Sequence, residues 1–255
     1  RWMLISKFAK EIFNTFDTCI ASSNESKDHL KKLNAKNVKY FGNLKLSISM
    51  DIKKISNEND DFFKKNKIWC AVSTHRGEEF FCLKTHLNLK KIYKNIVTII
   101  IPRHINRSKE IKILCNKLNL NSQILDANKQ VSENKEIIII NSFGSLPLYL
   151  KFSKSVFMGK SLLKKLKKVG GQNPIEAAKL GCKVYHGPYT YNFKEIYELL
   201  RNYQIADEIN NEVELTNKLI RDFKDPNKKN NNMNEILNNL GQKILGDTIK
   251  EINQI

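Results

Sequence analysis

The sequence is poor in several things, and each shortage removes a class of protein. Its five cysteines, Cys19, Cys70, Cys82, Cys115 and Cys182, are odd in number and include no Cys-x-x-Cys pair. That pattern argues against a disulfide framework and a zinc ribbon, and for reduced core thiols in a cytosolic setting. No signal-peptide pattern is present, and no run of about 18 apolar residues could span a bilayer as a helix. No metal-ligand spacing is visible. Arginine is scarce: Arg1, Arg76, Arg103, Arg107, Arg201 and Arg221 are its only occurrences among 44 basic residues. Arginine carries most bidentate recognition of bases and phosphates. The net charge of +18 and pI near 9.6 therefore read as solvated lysine surface rather than a nucleic-acid footprint. Such a face also suits an anionic membrane surface and anionic substrates.

What remains is a globular chain. Its 255 residues are 41% apolar, enough for one large domain or one and a half ordinary ones. Short apolar strands are expected at 18–22, 38–41, 68–72, 97–101, 123–125, 137–140, 155–158 and 182–186. Between them lie helical patterns at 7–13, 25–33, 78–93, 108–118, 146–152, 175–180 and 193–202. The tail, 212–255, reads as helical, broken at Asp225-Pro226 and at the 230–232 asparagine run. This alternation predicts an α/β protein, a parallel sheet covered by helices on both faces. The polar stretch 49–66, with little periodicity beyond Phe62-Phe63, reads as a linker. Residues 1–48 then form the end of one Rossmann-like domain, and 67–255 a second with C-terminal helices. The chain opens at Arg1 inside a helix-then-strand pattern, which suggests that residues precede it.

In open parallel sheets, ligands bind beyond the carboxyl ends of the strands, and there this sequence is polar and glycine-rich. After 68–72 comes Ser73-Thr74-His75-Arg76-Gly77-Glu78-Glu79. Ser73 or Thr74 can cap the next helix, and the two glutamates suit its first turn; His75-Arg76-Gly77 has no such explanation. After 97–101, Pro102-Arg103-His104 is well placed for an anion or a ring. After 137–140, Gly144-Ser145-Leu146 opens a helix with Ser145 as N-cap and Pro147 in the first turn, a geometry shared by capping and phosphate binding. After 155–158 come Gly159-Lys160-Ser161-Leu162, the lysines 164, 165, 167 and 168, and Gly170-Gly171-Gln172-Asn173-Pro174-Ile175-Glu176. Asn173, Pro174 and Glu176 fit positions N-cap, N1 and N3 of a capping box, and the glycine pair would let backbone approach a ligand. After 182–186, Gly187-Pro188 to Phe193 is an aromatic loop that walls a pocket or packs the sheet edge.

Taken in order and approximate spacing, Ser73 to Glu79, Pro102-Arg103-His104, Gly170 to Ala178, His186-Gly187-Pro188 with Asn192-Phe193, and Ala21-Ser22-Ser23 followed by Phe41-Gly42-Asn43-Leu44-Lys45 resemble the bacterial 3-deoxy-D-manno-octulosonic acid (Kdo) transferases. The resemblance covers nearly the whole chain. It implies a GT-B glycosyltransferase of two Rossmann-like domains, of which the second holds the donor CMP-Kdo. It places Arg103 and His104 against the cytidine, the helix start at Gly144, Ser145 and Leu146 on phosphate, and Gly170, Gly171, Asn173 and Glu176 around the phosphate, ribose or Kdo carboxylate, with Ser73 and Thr74 lining the crevice. It further implies inverting transfer to a lipid A precursor (lipid IVA) without metal or cofactor, at the cytoplasmic face of the inner membrane, peripherally or through an anchor that precedes this sequence. The catalytic base is expected upstream, so no residue here is assigned to it. The sequence departs from the family pattern at Lys160, where a second glycine is usual, at Gln172, where His is common, at Ser145, where Glu is frequent, and in the lysines at 164–168. Three rival readings are a GT-B enzyme with a uridine-type donor, a basic nucleic-acid-binding protein, which leaves the ordered strand-end motifs unexplained, and a degenerate, structural-only domain, against which Asn173 and Glu176 argue.

Overall fold

The computed structural model describes residues 2–48, 58–225 and 231–254, without the side chains of residues 231–233. In chain order the elements are α1 (Ser6–Asn14), β1 (Cys19–Ile20), α2 (Asn24–Lys32), β2 (Val38–Lys39), α3 (Asp60–Lys65), β3 (Lys67–Thr74), α4 (Glu78–Lys90), β4 (Ile96–Pro102), α5 (Ser108–Lys117), β5 (Ser122–Leu125), β6 (Ile137–Ile140), α6 (Leu146–Leu150), β7 (Ser155–Met158), α7 (Ile175–Lys179), β8 (Lys183–His186), α8 (Lys194–Asn202), β9 (Ala206–Glu208), α9 (Glu212–Lys224) and α10 (Asn231–Ile252). They form two compact units, Arg1–Met50 with Glu235–Ile255, and Asp51–Asn234.

In the first unit β1 and β2 pair in parallel, Cys19 opposite Val38. Helix α2 is capped by Ser23, whose hydroxyl accepts the Ser26 N–H at 3.1 Å. The C-terminal part of α10 groups here, whereas the sequence alone assigned 235–255 to the second domain. The reason is packing: Gly241 of α10 lies against the Leu46 carbonyl with no room for a Cβ, Ile244 fills the space beside Gly42, and Glu251 reaches Lys39 at 3.6 Å.

The second unit is built on a seven-stranded, wholly parallel sheet in the order β5-β6-β4-β3-β7-β8-β9. Its central strands are apolar on both faces, as burial between two helical layers requires: Ile68 to Val72 of β3 and all four isoleucines of β6 are buried. One core cluster joins Trp69, Ala71, Ile100, Ile137, Ile139 and Phe157 of the sheet to Phe81, Leu83 and Leu89 of α4, Ile111 and Cys115 of α5 and Leu215 and Leu219 of α9. Asp222 of α9 is also fully buried. It accepts hydrogen bonds from Tyr185 Oη at 2.5 Å and Ser155 Oγ at 2.6 Å.

The expected parallel α/β sheet is present. Two elements escaped the sequence reading. Edge strand β9 is three residues long and carries Asp207 and Glu208, which hide its period. Helix α3 falls inside the expected linker, where buried Phe63 packs edge-on to Tyr149 at 5.8 Å. The linker positions 49–57 and the expected interruption at Pro226 and Asn230 lie outside the described residues.

Candidate functional site

The chain leaves β3 for β4, β5 and β6 on one side, then returns to place β7, β8 and β9 on the other. The gap between β3 and β7 is thus the topological switch point, where an open sheet binds ligands beyond its strands' carboxyl ends. The two loops that flank it are 73–77 and 159–163.

These loops are tied together by Glu78. Its carboxylate, 0% exposed, accepts backbone N–H bonds from His75 at 2.9 Å, Lys160 at 2.7 Å, Ser161 at 2.9 Å and Leu162 at 3.0 Å. Neither Ser73 nor Thr74 caps α4; the N-cap is Gly77 at φ +102°, without a side-chain bond. Ser73 is instead a bulge residue at φ +55°, where the β3–β4 register slips. Thr74 remains in the strand, fully buried, and its hydroxyl has no partner among the described residues. The second glutamate, Glu79, is held by Arg107 through Nη1–Oε1 at 2.6 Å and Nη2–Oε2 at 3.3 Å.

At the end of β4, the Arg103 N–H donates to the Thr74 carbonyl at 3.1 Å, and the exposed His104 ring meets the His75 ring edge-on at 5.9 Å. Burial lowers the pKa of His75, and the nearby Lys160 and His104 charges lower it further; its bond to the Ser73 carbonyl and the Glu78 charge act the other way. Arg76 pairs with Glu110 at 2.9 Å, and Arg107 pairs with both Glu79 and Glu110. Arg103 is thus the arginine of this edge that has no ion pair among the described residues.

Gly170 and Gly171 are buried and abut the next loop rather than open space. A Cβ on Gly170 would collide with the Tyr189 carbonyl; Gly171, at φ +89°, would meet Thr190 at 3.0 Å and donates its N–H to the Lys160 carbonyl at 2.7 Å. The glycines bring loop against loop, where the sequence suggested room for a ligand. The following helix starts at Ile175 as expected, but Pro174 rather than Asn173 stands at its N-cap, although Asn173 Oδ1 still accepts the Ile175 N–H at 3.1 Å. Glu176 is half-buried, and burial raises its pKa. Beyond β8, burial, assisted by the Arg201 charge, lowers the His186 pKa to about 4; its Nε2 has no partner among the described residues.

Gly144, Ser145 and Leu146 follow β6, which is separated from β7 by β4 and β3. Ser145 stands at the N-cap of α6, but its hydroxyl bonds that of Ser142 at 2.9 Å instead of a helix amide. They border a separate cavity of about 630 Å³, lined among others by Asn59, Asp126, Phe143 and Tyr149. Ser73, Thr74, Arg103 and His104 therefore stand at strand ends flanking the switch point. Gly171 reaches it through Lys160, Gly170, Asn173 and Glu176 lie in the same connection as Gly171, and Gly144 to Leu146 extend the edge sideways. Glu78 and Lys160 were missed as site residues; the signal for Lys160 was its place directly after a strand end. Among the described residues, no three His, Cys, Asp or Glu side chains cluster as metal ligands, and no helix is long and apolar enough to cross a membrane.

A parallel Rossmann-like sheet with its polar loops drawn to the switch point is the architecture of the GT-B glycosyltransferases. No family model matches the chain. It is 33% identical over 177 residues to a 3-deoxy-D-manno-octulosonic acid transferase of Haemophilus influenzae, covering 65% of this chain and 40% of that protein. The chain thus spans less than half the length of that relative. In fold it matches the C-terminal CMP-Kdo binding domain of WaaA from Acinetobacter baumannii (TM-score 0.59, 22% identity, 72% of this chain and 91% of that one). It also matches Anabaena Alr3699/HepE in complex with UDP (TM-score 0.60, 14% identity, 98% of this chain and 67% of that one). By sequence the chain is thus similar to Kdo transferases.

Proposed function

We propose that this chain supplies the donor-binding part of an enzyme that transfers Kdo from CMP-Kdo to a lipid A precursor. The observation that carries the reading is the meeting of three segments, the Ser73-Thr74 and Arg103-His104 strand ends and the loop from Gly159 to Asn173, at the switch point of a sheet whose sequence relatives are named Kdo transferases. Arg103, exposed and without an ion pair, is suited to the donor's phosphate or to the face of its base. Asn173, Glu176 and the glycine pair line the neighbouring loop. Gly144 to Leu146 offer their backbone amides at the flank. The chemistry would be direct displacement at the anomeric carbon with inversion, the departing CMP being stabilised by cationic side chains and backbone amides rather than a metal. No residue of this chain is assigned as the base that takes the acceptor's proton. The lysine-rich surface suits an anionic membrane, which fits a peripheral protein at the cytoplasmic face of the inner membrane.

Calorimetric titration with CMP, UMP and AMP tests the donor class. Preference for CMP, weakened by Arg103→Ala and by Asn173→Ala, is the expected result. Preference for UMP would move the chain to a glycosyltransferase with a uridine-type donor, in line with the UDP bound by HepE. Failure of a folded sample to bind any nucleotide would overturn the reading.

A further inference from the structure

We propose that Lys160 is a phosphate-binding residue of the switch-point crevice, its ammonium group taking a phosphate of the ligand held between the β3 and β7 loops. The identity of that ligand as a nucleotide rests on the function proposed above; the claim about phosphate rests on the geometry alone.

Lys160 is the second residue beyond β7 and stands at the gap that the strand order marks as the binding crevice. Its backbone is left-handed, φ +57°, a conformation that favours glycine and disfavours a long side chain. It is held there from both sides: its N–H donates to Glu78 at 2.7 Å, and its carbonyl accepts the Gly171 N–H at 2.7 Å. Its ammonium group has no ion pair among the described residues; the Glu78 carboxylate bonds the Lys160 backbone N–H and three other backbone amides. The Lys160, His104 and Glu78 charges all act on His75. The residue before it, Gly159, lies so close to Thr74 that a Cβ would sit 2.6 Å from the Thr74 Cα, so the β7 loop is packed directly on the end of β3. A lysine without an ion pair at the rim of that crevice is a group that a phosphate oxygen completes.

Lys160→Gly separates function from folding, because glycine suits the backbone and its thermal midpoint should equal or exceed that of the parent. Calorimetry on the whole chain would use CMP and, as a phosphate probe without a nucleoside, inorganic pyrophosphate. Both affinities should fall roughly tenfold in Lys160→Gly, with a shallower salt dependence, and Lys160→Arg should restore most of the loss. Unchanged affinity for both probes in a folded Lys160→Gly variant would overturn the proposal. A parent that binds pyrophosphate but not CMP, with binding lost in the variant, would leave Lys160 standing and remove the nucleotide reading. A folded parent that binds neither probe would overturn both.

Discussion

The carboxylate of Glu78 accepts the Lys160 N–H at 2.7 Å across 82 residues of chain. With the bonds from His75, Ser161 and Leu162, it joins the first loop of the sheet to the loop on the far side of the switch point. Glu78→Ala would leave four inward-facing amides without an acceptor and should cost about 3 kcal/mol or more. Glu78→Gln, which keeps one acceptor oxygen, should cost less. Urea denaturation checks the ranking; a loss below about 1 kcal/mol in Glu78→Ala would contradict the clasp.

Two glycines of this edge should respond to alanine for different reasons. At Gly159 the added Cβ would fall 2.6 Å from the Ser73 oxygen and from the Thr74 Cα, both backbone atoms that cannot swing aside. Gly159→Ala should destabilise by about 1–3 kcal/mol and loosen nucleotide binding. At Gly144 nothing lies within 4 Å, but φ is +73°. Gly144→Ala should therefore cost only about 1–2 kcal/mol of backbone strain. Equal thermal shifts with unaltered nucleotide affinity in both variants would argue against close loop packing at Gly159.

Acid stability should depend on Glu136. Burial would raise its pKa, but hydrogen bonds from His86, Lys90 and the Asn121 N–H outweigh this and hold it down to about 2. Because the folded value lies below the ordinary one of 4.5, the group stabilises the fold above that pH, and the contribution is lost as pH falls toward 2. Its size is on the order of 2–3 kcal/mol. Denaturation curves between pH 6 and pH 2 should show a flatter acid limb in Glu136→Gln; an unchanged slope would count against the network.

Asp222 accepts hydrogen bonds from both Ser155 Oγ and Tyr185 Oη. Burial and the Asp222 charge raise the Tyr185 pKa. Asp222→Ala should cost about 3 kcal/mol and strand two buried hydroxyls. A companion Tyr185→Phe change should recover part of that loss in a double-mutant cycle. Strict additivity would show that the two side chains act independently.

Most of the fold was legible because its signals are local. The four isoleucines of β6, the apolar run in β3 and the amphipathic pattern of α5 each announce their element within a few residues. The strand-end motifs were legible for the same reason, since each follows its strand directly. Capping was less so. Ser73, Thr74 and Ser145 have the right chemistry for an N-cap, yet Ser73 forms a bulge, the Thr74 hydroxyl is buried in the strand and Ser145 bonds Ser142. Helix α4 begins at Glu78, four residues beyond Thr74, too late for either hydroxyl to serve it.

The sequence by itself determined an α/β chain with a parallel sheet, most of its strands in order along the chain, and a set of polar loops that resemble those of Kdo transferases. Only the tertiary structure decided which loops face each other. Lateral strand order depends on where each crossover packs its helix, and that energy comes from contacts between residues far apart in sequence. For this reason Glu78, which reads as an ordinary first-turn acid, became the tie between two loops. Gly170 and Gly171, which read as room for a ligand, became the close contact of one loop with the next. Lys160, unremarkable as one lysine among many, came to stand at the crevice with a backbone suited to glycine.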